Sequence, residues 1–189
     1  MCGSGTTIDV CEEEGRKAIG YDINPQHPKV KKNDSRKIPL ADNSVDMVFI
    51  DSPYGDNVSY SNEAADIGKI SAEDPRFYEE LEKVAREIYR ILKPGKVIGW
   101  LIGDQWVKRK FTPVGFKIYQ MLIDNVKFEP IDLISVTRRN QSSNTRIWHY
   151  RAQKFNFFLR GFKYLILAKK PDGNNATKVA TKVNWKKYK

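Results

Sequence analysis

Cysteine is scarce in this chain of 189 residues, which contains only Cys2 and Cys11. Two cysteines are too few for the disulfide framework of a small secreted protein. The sequence also has no apolar run long enough to cross a bilayer, and no signal peptide is visible at its start. We therefore expect a cytoplasmic protein with reduced thiols and no membrane partner.

Acidic residues are nearly absent from the last third of the sequence. From Leu133 to the C-terminus there are 14 Lys or Arg residues and one acidic residue, Asp172, and the whole chain has a formal charge of +10. Aromatic residues are interleaved with these charges: Trp148, Tyr150, Phe155, Phe157 and Phe158. Such a segment favours binding to nucleic acid through counterion release over a merely solvated surface.

Helix-like and strand-like segments alternate along the chain, which is typical of an α/β sheet. The strongest helix prediction begins at Pro75, because apolar residues recur at three- and four-residue spacing as far as Leu92. Another helix is predicted over 6–14, capped by Ser4 or Thr6. The remaining predicted elements are a helix over 112–124 and strands over 18–22, 46–51, 96–102, 128–136 and 161–169. We expect one domain over 1–170 and a basic, flexible tail over 171–189.

A glycine-rich turn, "CGSGTT", occupies positions 2–7, and Asp22 follows it at the end of a predicted strand. Glycines let the backbone approach a ligand closely, and the next helix offers its N-terminal amides. An acidic residue in the position of Asp22 commonly binds a ribose hydroxyl pair. Taken alone, this pattern is equally compatible with a plain structural turn, because the third glycine of the dinucleotide fingerprint is absent.

Two further acidic residues lie in loops. Asp34, in "NDSRKIP", is placed either to accept a hydrogen bond from an adenine amino group or to form a surface turn. Asp51, in "FIDSPYGDN", ends a strand, where open parallel sheets bind their ligands. Pro53 stiffens this loop and Tyr54 presents a flat ring beside the carboxylate. A carboxylate and a stacking ring suit a planar amine. An ordinary strand-to-loop turn is an alternative explanation of the same sequence.

The ordered set "MCGSGTT", "YDINP", "IDSPYG" and "YRILKPGK" resembles the amino-methyltransferases that use S-adenosyl-L-methionine. More narrowly, it is similar to the DNA N6-adenine and N4-cytosine methyltransferase family, from Met1 to about Lys170. The resemblance implies a Rossmann-like methyltransferase sheet with helices on both faces, and S-adenosyl-L-methionine as the cofactor.

The resemblance also implies the residues of the site. It assigns cofactor binding to Cys2, Gly3, Ser4, Gly5, Thr6, Thr7, Asp22, Ile23, Asp34 and Ser35. It assigns catalysis to the tetrapeptide Asp51, Ser52, Pro53 and Tyr54. The family usually has proline in the second position of this tetrapeptide, so Ser52 departs from the pattern. We expect that departure to weaken the rigidity of the loop without removing its chemistry.

In such a family a target base is flipped out of the duplex and stacked on Tyr54, and its exocyclic amine attacks the methyl carbon of the sulfonium directly. This reaction requires no cysteine nucleophile and no metal. His27 and His149 are accordingly interpreted as surface or nucleic-acid-facing residues. Aspartate rather than serine at position 51 favours adenine N6 over cytosine N4.

The basic segment 138–161 is the predicted region of DNA contact and target recognition, because Arg, Asn and Gln read base edges. The predicted contacts in and near it are Arg138, Arg139, Asn140, Arg146 and Arg151. Phosphate contacts are predicted for Lys108, Arg109 and Lys110. The expected partner is double-stranded DNA.

One expected element is missing, because the family has a central strand before the glycine turn and this sequence shows none. Its absence would expose the backbone and core of the sheet. We expect either a fragment or an internal start, or a second copy or partner chain that supplies the strand. The polar tail "ATKVATKVNWKK" is a poor substitute.

The leading prediction is a site-specific DNA methyltransferase of a restriction–modification or host-marking system. An RNA guanine-N2 methyltransferase is an alternative, because "SPYG" is similar to the tetrapeptide and glycine of those enzymes. A catalytically inactive nucleic-acid-binding subunit or fragment is another.

Overall fold

The computed structural model describes residues 1–56, 61–107, 110–137, 146–159 and 161–173. Its helices are α1 (Thr6–Glu13), α2 (Pro75–Ile91), α3 (Val114–Gln120) and α4 (Arg146–Phe155), with a 3-10 turn at Ile67–Lys69 and a π-helical turn at Met121–Asn125. Its strands are β1 (Gly20–Asp22), β2 (Val30–Lys32), β3 (Val45–Asp51), β4 (Leu92–Ile102), β5 (Gln105–Val107), β6 (Lys110–Thr112), β7 (Glu129–Thr137) and β8 (Phe162–Lys169). Most of the predicted tail, residues 174–189, lies outside the described residues.

The largest sheet has four strands in the order β3-β4-β8-β7. β3 runs parallel to β4, whereas β8 is antiparallel to both β4 and β7. β1 and β2 form a separate parallel pair, and β5 and β6 a separate antiparallel pair. Among the described residues, neither β1 nor β2 is joined to the large sheet by strand pairing. The supply of a strand by a second copy or a partner chain stays a prediction.

Helix α2 forms where its periodicity predicted a helix, and it begins with a side-chain cap. The Asp74 carboxylate accepts a hydrogen bond from the backbone N–H of Arg76 at 2.9 Å, and Pro75 occupies the first turn. The apolar face of the helix is fully buried and consists of Phe77, Leu81, Val84, Ala85, Ile88 and Ile91. It forms one core with the inward side chains of β4, which include Ile98 and Trp100.

The two faces of the large sheet differ in how far they are covered by helices. Val114, Ile118 and Leu122, from α3 and the π-helical turn, join α2 in the core on one face. On the other face, Met47 and Phe49 of β3 are 58% and 39% exposed. Helix α1 belongs to the smaller parallel pair, where its Ile8 packs against Gly20 of β1.

The polar face of α2 holds the loop that follows β2. Glu87 accepts a hydrogen bond from the backbone N–H of Ile38 at 3.0 Å, and Arg90 donates to the backbone oxygens of Ile38 and Leu40 at 2.9 and 2.8 Å. Arg90 also forms an ion pair with Glu87 at 2.8 Å. Because these bonds involve charged groups, they are stronger than neutral ones.

The predicted cap of α1 is wrong. The helix follows Gly5, which has a φ of +82° and offers its carbonyl to the N–H groups of Ile8 and Asp9. Ser4 and Thr6 instead hydrogen-bond to each other, at 3.1 Å between their hydroxyl oxygens. The left-handed backbone at Gly5 turns the chain into the helix without a side-chain acceptor.

Several short elements were not predicted. Strands β2, β5 and β6 have three residues each, too few for a periodic signal. Helix α4 has no buried residue, and its apolar side chains alternate with basic ones, so it lacks the core-facing apolar stripe that usually marks a helix. The predicted helix over 112–124 is shorter in α-helical form, and its C-terminal part is the π-helical turn.

Glu87→Gln tests the contact between α2 and the loop at 38–40. Hydrogen bonds from Arg90, and the N–H of Ile38, lower the pKa of Glu87. A carboxyl group with a lowered folded pKa adds stability above its unfolded pKa, and this stability is lost as the pH falls through the folded value. We expect the substitution to cost about 1 kcal/mol at pH 7, and we expect the difference from wild type to shrink as the pH falls below the ordinary pKa of a glutamate and through the lowered pKa of Glu87.

The measurement is urea unfolding at pH 3, 5 and 7. Glu79→Gln is the matched control, because Glu79 is exposed on the same helix. A destabilisation by Glu87→Gln that does not change with pH would contradict the ionic origin of this contact.

Candidate active site

The glycine turn and the end of β1 are joined by the Asp22 carboxylate. One of its oxygens accepts hydrogen bonds from the backbone N–H groups of Cys2 and Gly3, at 2.7 and 3.0 Å. The other oxygen accepts a hydrogen bond from the backbone N–H of Asn24 at 2.9 Å. The structure therefore brings together the predicted cofactor residues of the turn and of β1. A ribose hydroxyl pair at this carboxylate would compete with backbone donors for the same oxygens.

Helix α1 starts at the turn with Thr6 and Thr7 in its first positions. A Cβ on Gly5 would lie 2.5 Å from the ring of His27, so only glycine fits beneath this ring. The Nε2 atom of His27 lies 3.3 Å from a carboxylate oxygen of Asp9, and the side chain is 18% exposed. His27 was predicted to be a surface or nucleic-acid-facing residue, and the structure shows a partly buried ring that packs over the glycine turn.

The predicted adenine-binding residue, Asp34, is already paired. Arg36 donates to its carboxylate from Nε and Nη2, at 3.0 and 2.5 Å, and also bonds Glu80 of α2. Burial raises the pKa of Asp34, but the hydrogen bonds from Arg36 bring it below its usual value. Ser35 and Ile23, the remaining predicted cofactor residues, are partly buried beside it and after β1. An adenine amino group at Asp34 would share the carboxylate with Arg36.

The predicted catalytic tetrapeptide leaves the C-terminal end of β3, where Asp51 is the last residue of the strand. Ser52 and Pro53 are buried, Tyr54 is partly buried, and the Asp51 side chain is 47% exposed. Asp51 pairs with Leu101 of the parallel strand β4. The carboxylate and the ring therefore lie at the carboxyl edge of the sheet, where open α/β sheets bind ligands.

Ser52 has a structural partner that explains the departure from proline. Its Oγ accepts a hydrogen bond from the indole N–H of Trp100 at 2.8 Å, and both side chains are buried. A buried indole N–H needs an acceptor, and a proline at position 52 would offer none from its side chain. The serine therefore fastens the tetrapeptide to β4.

The loop is fastened a second time, just after the tetrapeptide. Gln105 is almost fully buried, and its amide donates to the Asp56 carboxylate at 3.1 Å. Gly55 has a φ of +122°, and a Cβ there would lie 2.4 Å from the same amide nitrogen. The glycine of "SPYG" is thus required by both its backbone conformation and the approach of Gln105.

A lysine that the sequence analysis missed completes the site. The Nζ of Lys163 lies 3.0 and 3.3 Å from the two carboxylate oxygens of Asp51, and 5.4 Å from the centre of the Tyr54 ring. Lys163 lies on β8, 112 residues beyond Asp51. The signal in the sequence that could have found it is a lysine near the start of the predicted strand 161–169, which is mostly apolar.

The predicted DNA contacts are only partly described by the structure. Arg146 and Arg151 are exposed on α4, and Arg151 stacks on Trp148 with 5.1 Å between the guanidinium carbon and the ring centre. Lys110 is exposed on β6 and pairs with Glu73 at 3.0 Å. The other predicted contacts lie outside the described residues: Lys108, Arg109, Arg138, Arg139 and Asn140.

Neither a metal-binding cluster nor a membrane-spanning helix occurs in the part of the chain that the structure describes. Among these residues, no group of three or more His, Cys, Asp or Glu side chains could hold a metal ion. None of the described helices is long and apolar enough to cross a membrane.

Comparison with known proteins identifies one family. The model of the family described as "DNA methylase", which groups N6 and N4 methyltransferases, matches residues 45–188. The match includes the tetrapeptide, α2 and the basic segment, but not the glycine turn. No curated protein sequence matches the chain.

Several solved structures share the fold. A protein described as a DNA modification methylase from Thermus thermophilus is 21% identical with a TM-score of 0.53, over 77% of this chain and 54% of its own. The same Thermus protein has also been solved with S-adenosyl-L-methionine. A SAM-dependent methyltransferase from Methanosarcina mazei is 16% identical with a TM-score of 0.56, over 90% of this chain and 89% of its own.

A third similar structure is that of the cytosine-N4-specific PvuII DNA methyltransferase. It is 14% identical with a TM-score of 0.51, over 71% of this chain and 45% of its own. At these identities the likeness shows a Rossmann-like methyltransferase fold, as predicted. The chain spans little more than half the length of the Thermus protein.

Ser52→Ala tests whether serine fastens the tetrapeptide to β4. The substitution leaves the buried indole N–H of Trp100 without its acceptor, so we expect a loss of about 1–3 kcal/mol in the free energy of unfolding. In a Trp100→Phe background the same change should cost much less, because no indole N–H remains to be satisfied.

The measurement is a double-mutant cycle by urea unfolding. Ser44→Ala is the control, since the Ser44 hydroxyl makes an exposed hydrogen bond to the backbone oxygen of Ala41. Equal costs of Ser52→Ala in both backgrounds would show that the Ser52–Trp100 hydrogen bond contributes nothing.

Proposed function

The chain belongs to the N6/N4 DNA methylase family, and from this premise we propose that it methylates an exocyclic amino group of a flipped base in double-stranded DNA. The proposed methyl donor is S-adenosyl-L-methionine, and adenine N6 is favoured over cytosine N4. The biological setting would be a restriction–modification or host-marking system.

The observation that carries this proposal is that Asp51 and Tyr54 both lie at the carboxyl edge of the sheet. The Asp51 carboxylate is half exposed, so its outer oxygen lone pairs are open to a hydrogen-bond donor. The partly buried Tyr54 ring, three residues further along the chain, would supply the surface on which the base stacks. A base with an exocyclic amine can be bound by one group that accepts a hydrogen bond from its N–H and by one ring that stacks on its plane. Asp51 and Tyr54 are groups of these two kinds.

Asp51 would act on the amine by accepting a hydrogen bond from one of its N–H groups. This interaction draws electron density toward the nitrogen and stabilises the positive charge that the nitrogen gains as it is methylated. Tyr54 holds the plane of the base, and the Ser52 and Gln105 contacts keep the loop from moving. Positioning of this kind lowers the barrier by holding the reacting atoms in line.

The glycine turn suits the proposed donor. A Cβ at Gly3 would meet no atom within 4 Å, so the turn is open on that side, and α1 presents its N-terminus there. Cys2, Gly3, Ser4, Gly5, Thr6 and Thr7 would surround the donor with Asp22, Ile23, Asp34 and Ser35. When bound, S-adenosyl-L-methionine supplies an electrophilic methyl group.

Helix α4 is the described part of the proposed DNA surface. Ile147, Tyr150 and Phe155 are each at least 60% exposed on it, beside Arg146, Arg151 and Lys154. Basic side chains bind phosphates, and exposed aromatic rings can stack on bases. We propose that this helix contacts the target strand together with the neighbouring segment 138–145.

The primary test is transfer of labelled methyl groups from S-adenosyl-L-methionine to duplex DNA, with tRNA assayed in parallel. Wild type should yield a methylated deoxynucleoside, and its mass and retention distinguish N6-methyladenine from N4-methylcytosine. Asp51→Asn should lower kcat at least a hundredfold, because an amide is a weaker acceptor for the amine, while binding of the donor is retained.

Asp46→Asn is the matched control, since Asp46 lies exposed at the other end of β3. Transfer to tRNA alone would favour an RNA methyltransferase. DNA binding without donor binding or transfer would favour an inactive nucleic-acid-binding subunit. Full activity of Asp51→Asn would remove Asp51 from the mechanism.

Arg146→Ala with Arg151→Ala tests the DNA surface. If both side chains contact phosphates, the double variant should bind duplex DNA more weakly and reduce the slope of log K against log salt by about 2. The control pair is Arg76→Ala with Lys83→Ala, exposed basic residues on α2. Fluorescence anisotropy from 50 to 300 mM salt measures the DNA affinity of each double variant and its salt dependence. Equal slopes for the two double variants would contradict a role for α4.

A further inference from the structure

Lys163 is a buried lysine in a strand, and its ammonium contacts the two functional side chains of the tetrapeptide. Its side chain is 11% exposed, whereas that of its partner Asp51 is 47% exposed. The ammonium therefore approaches the carboxylate from the protein side. The solvent side of the carboxylate stays open for an incoming amine.

The fold brings Lys163 to this position through the sheet. Asp51 pairs with Leu101 of β4, and Leu101 pairs with Leu165 of β8, two residues from Lys163 on the same face. Because β8 runs antiparallel to β4, its N-terminal end reaches the edge where β3 ends. A Cβ at Gly103 would lie 3.6 Å from the Lys163 Cγ and 3.9 Å from the Tyr54 ring, so the lysine stem and the ring border the same small residue.

A buried ammonium is costly unless it is paired, and an apolar side chain of similar length would fill the same space at no such cost. The charge at position 163 is therefore not explained by packing. It touches both carboxylate oxygens of Asp51 and lies near the Tyr54 ring, and it lies on neither the glycine turn nor the basic helix α4.

We propose that Lys163 is a positioning residue that fixes the Asp51 carboxylate and the Tyr54 ring in the orientation required by the target amine. The proposal rests on the proposed methyltransferase function. Without Lys163, a half-exposed aspartate would sample several rotamers, and fewer of them would direct a lone pair at the amine.

Lys163→Met is the informative variant, and the strand supplies an unusually close control. Lys169 lies on the same face of β8, its side chain is also 11% exposed, and it pairs with the half-exposed Glu129 at 2.7 Å. Lys169→Met therefore removes an equivalent buried charge at the opposite end of the strand. Both variants leave a carboxylate that water can reach, so both should fold.

The expected result is a loss of roughly tenfold to a hundredfold in kcat for Lys163→Met, with the KM for the methyl donor unchanged. Lys169→Met should keep the wild-type kcat. Lys163→Arg, which preserves the charge, should recover part of the loss. A purely structural role would lower the activity of the two methionine variants alike and would give no recovery with arginine.

Two outcomes would overturn the proposal while leaving the methyltransferase function intact. One is an active wild type whose kcat is unaffected by Lys163→Met. The other is a lower KM for DNA with an unchanged kcat, which would mean that the ammonium competes with the target amine for Asp51. An inactive wild type would instead refute the proposed function, and this role with it.

A stability measurement tests the ion pair without reference to activity. Asp51→Ala leaves the Lys163 ammonium buried and unpaired, so its urea midpoint should fall clearly. Adding Lys163→Met to Asp51→Ala should restore most of the midpoint. If the double variant is no more stable than Asp51→Ala, Lys163 does not depend on Asp51 and the proposed contact is wrong.

Discussion

The parallel pairing of β3 with β4 is the interaction on which the candidate site depends. Its register sets Ile50 beside Trp100 and Asp51 beside Leu101. From that register the indole of Trp100 reaches Ser52, and β8, paired to the other side of β4, brings Lys163 to Asp51. A shift of one residue would reverse every side chain of β3, so the contacts are gained or lost together.

The charged residues of this chain serve two separate purposes. On α2 they are paired with one another and with nearby loops, so they hold the fold together and contribute little net field. On α4, Arg151 and Lys154 lie over aromatic rings and remain exposed. A cation on an exposed ring is still available to a phosphate, which is why the excess charge of the C-terminal third suits a polyanion.

The sequence predicted the α/β fold and the strongest elements because their signals are local. Helix α2 follows from its apolar periodicity and its proline, and Asp51 and Tyr54 lie three residues apart at a strand end. The partners of the tetrapeptide could not be predicted from local patterns, because Trp100 and Lys163 are separated from Ser52 and Asp51 by 48 and 112 residues in the sequence. Only the strand order and register place them there. The assignment of cofactor and DNA contacts stays a prediction.

Helix α2 contacts both parts of the protein that methyl transfer would require to be aligned, the predicted donor site and the tetrapeptide. The glycine turn and Asp22 belong to the small pair β1–β2, which shares no ladder with the four-stranded sheet among the described residues. The loop after β2 instead meets the polar face of α2, through Arg36 with Glu80 and through Glu87 and Arg90 with the backbone at 38–40.

The apolar face of the same helix packs against the strands that carry the tetrapeptide. The distance between a methyl donor at the glycine turn and an amine at Asp51 would therefore be set in part by these partly buried charged contacts, together with the packing of Met1 and Ile38 against the core. Salt screens such contacts more than it screens buried pairs. The alignment of donor and amine is thus expected to be more sensitive to ionic strength than the packing of either part.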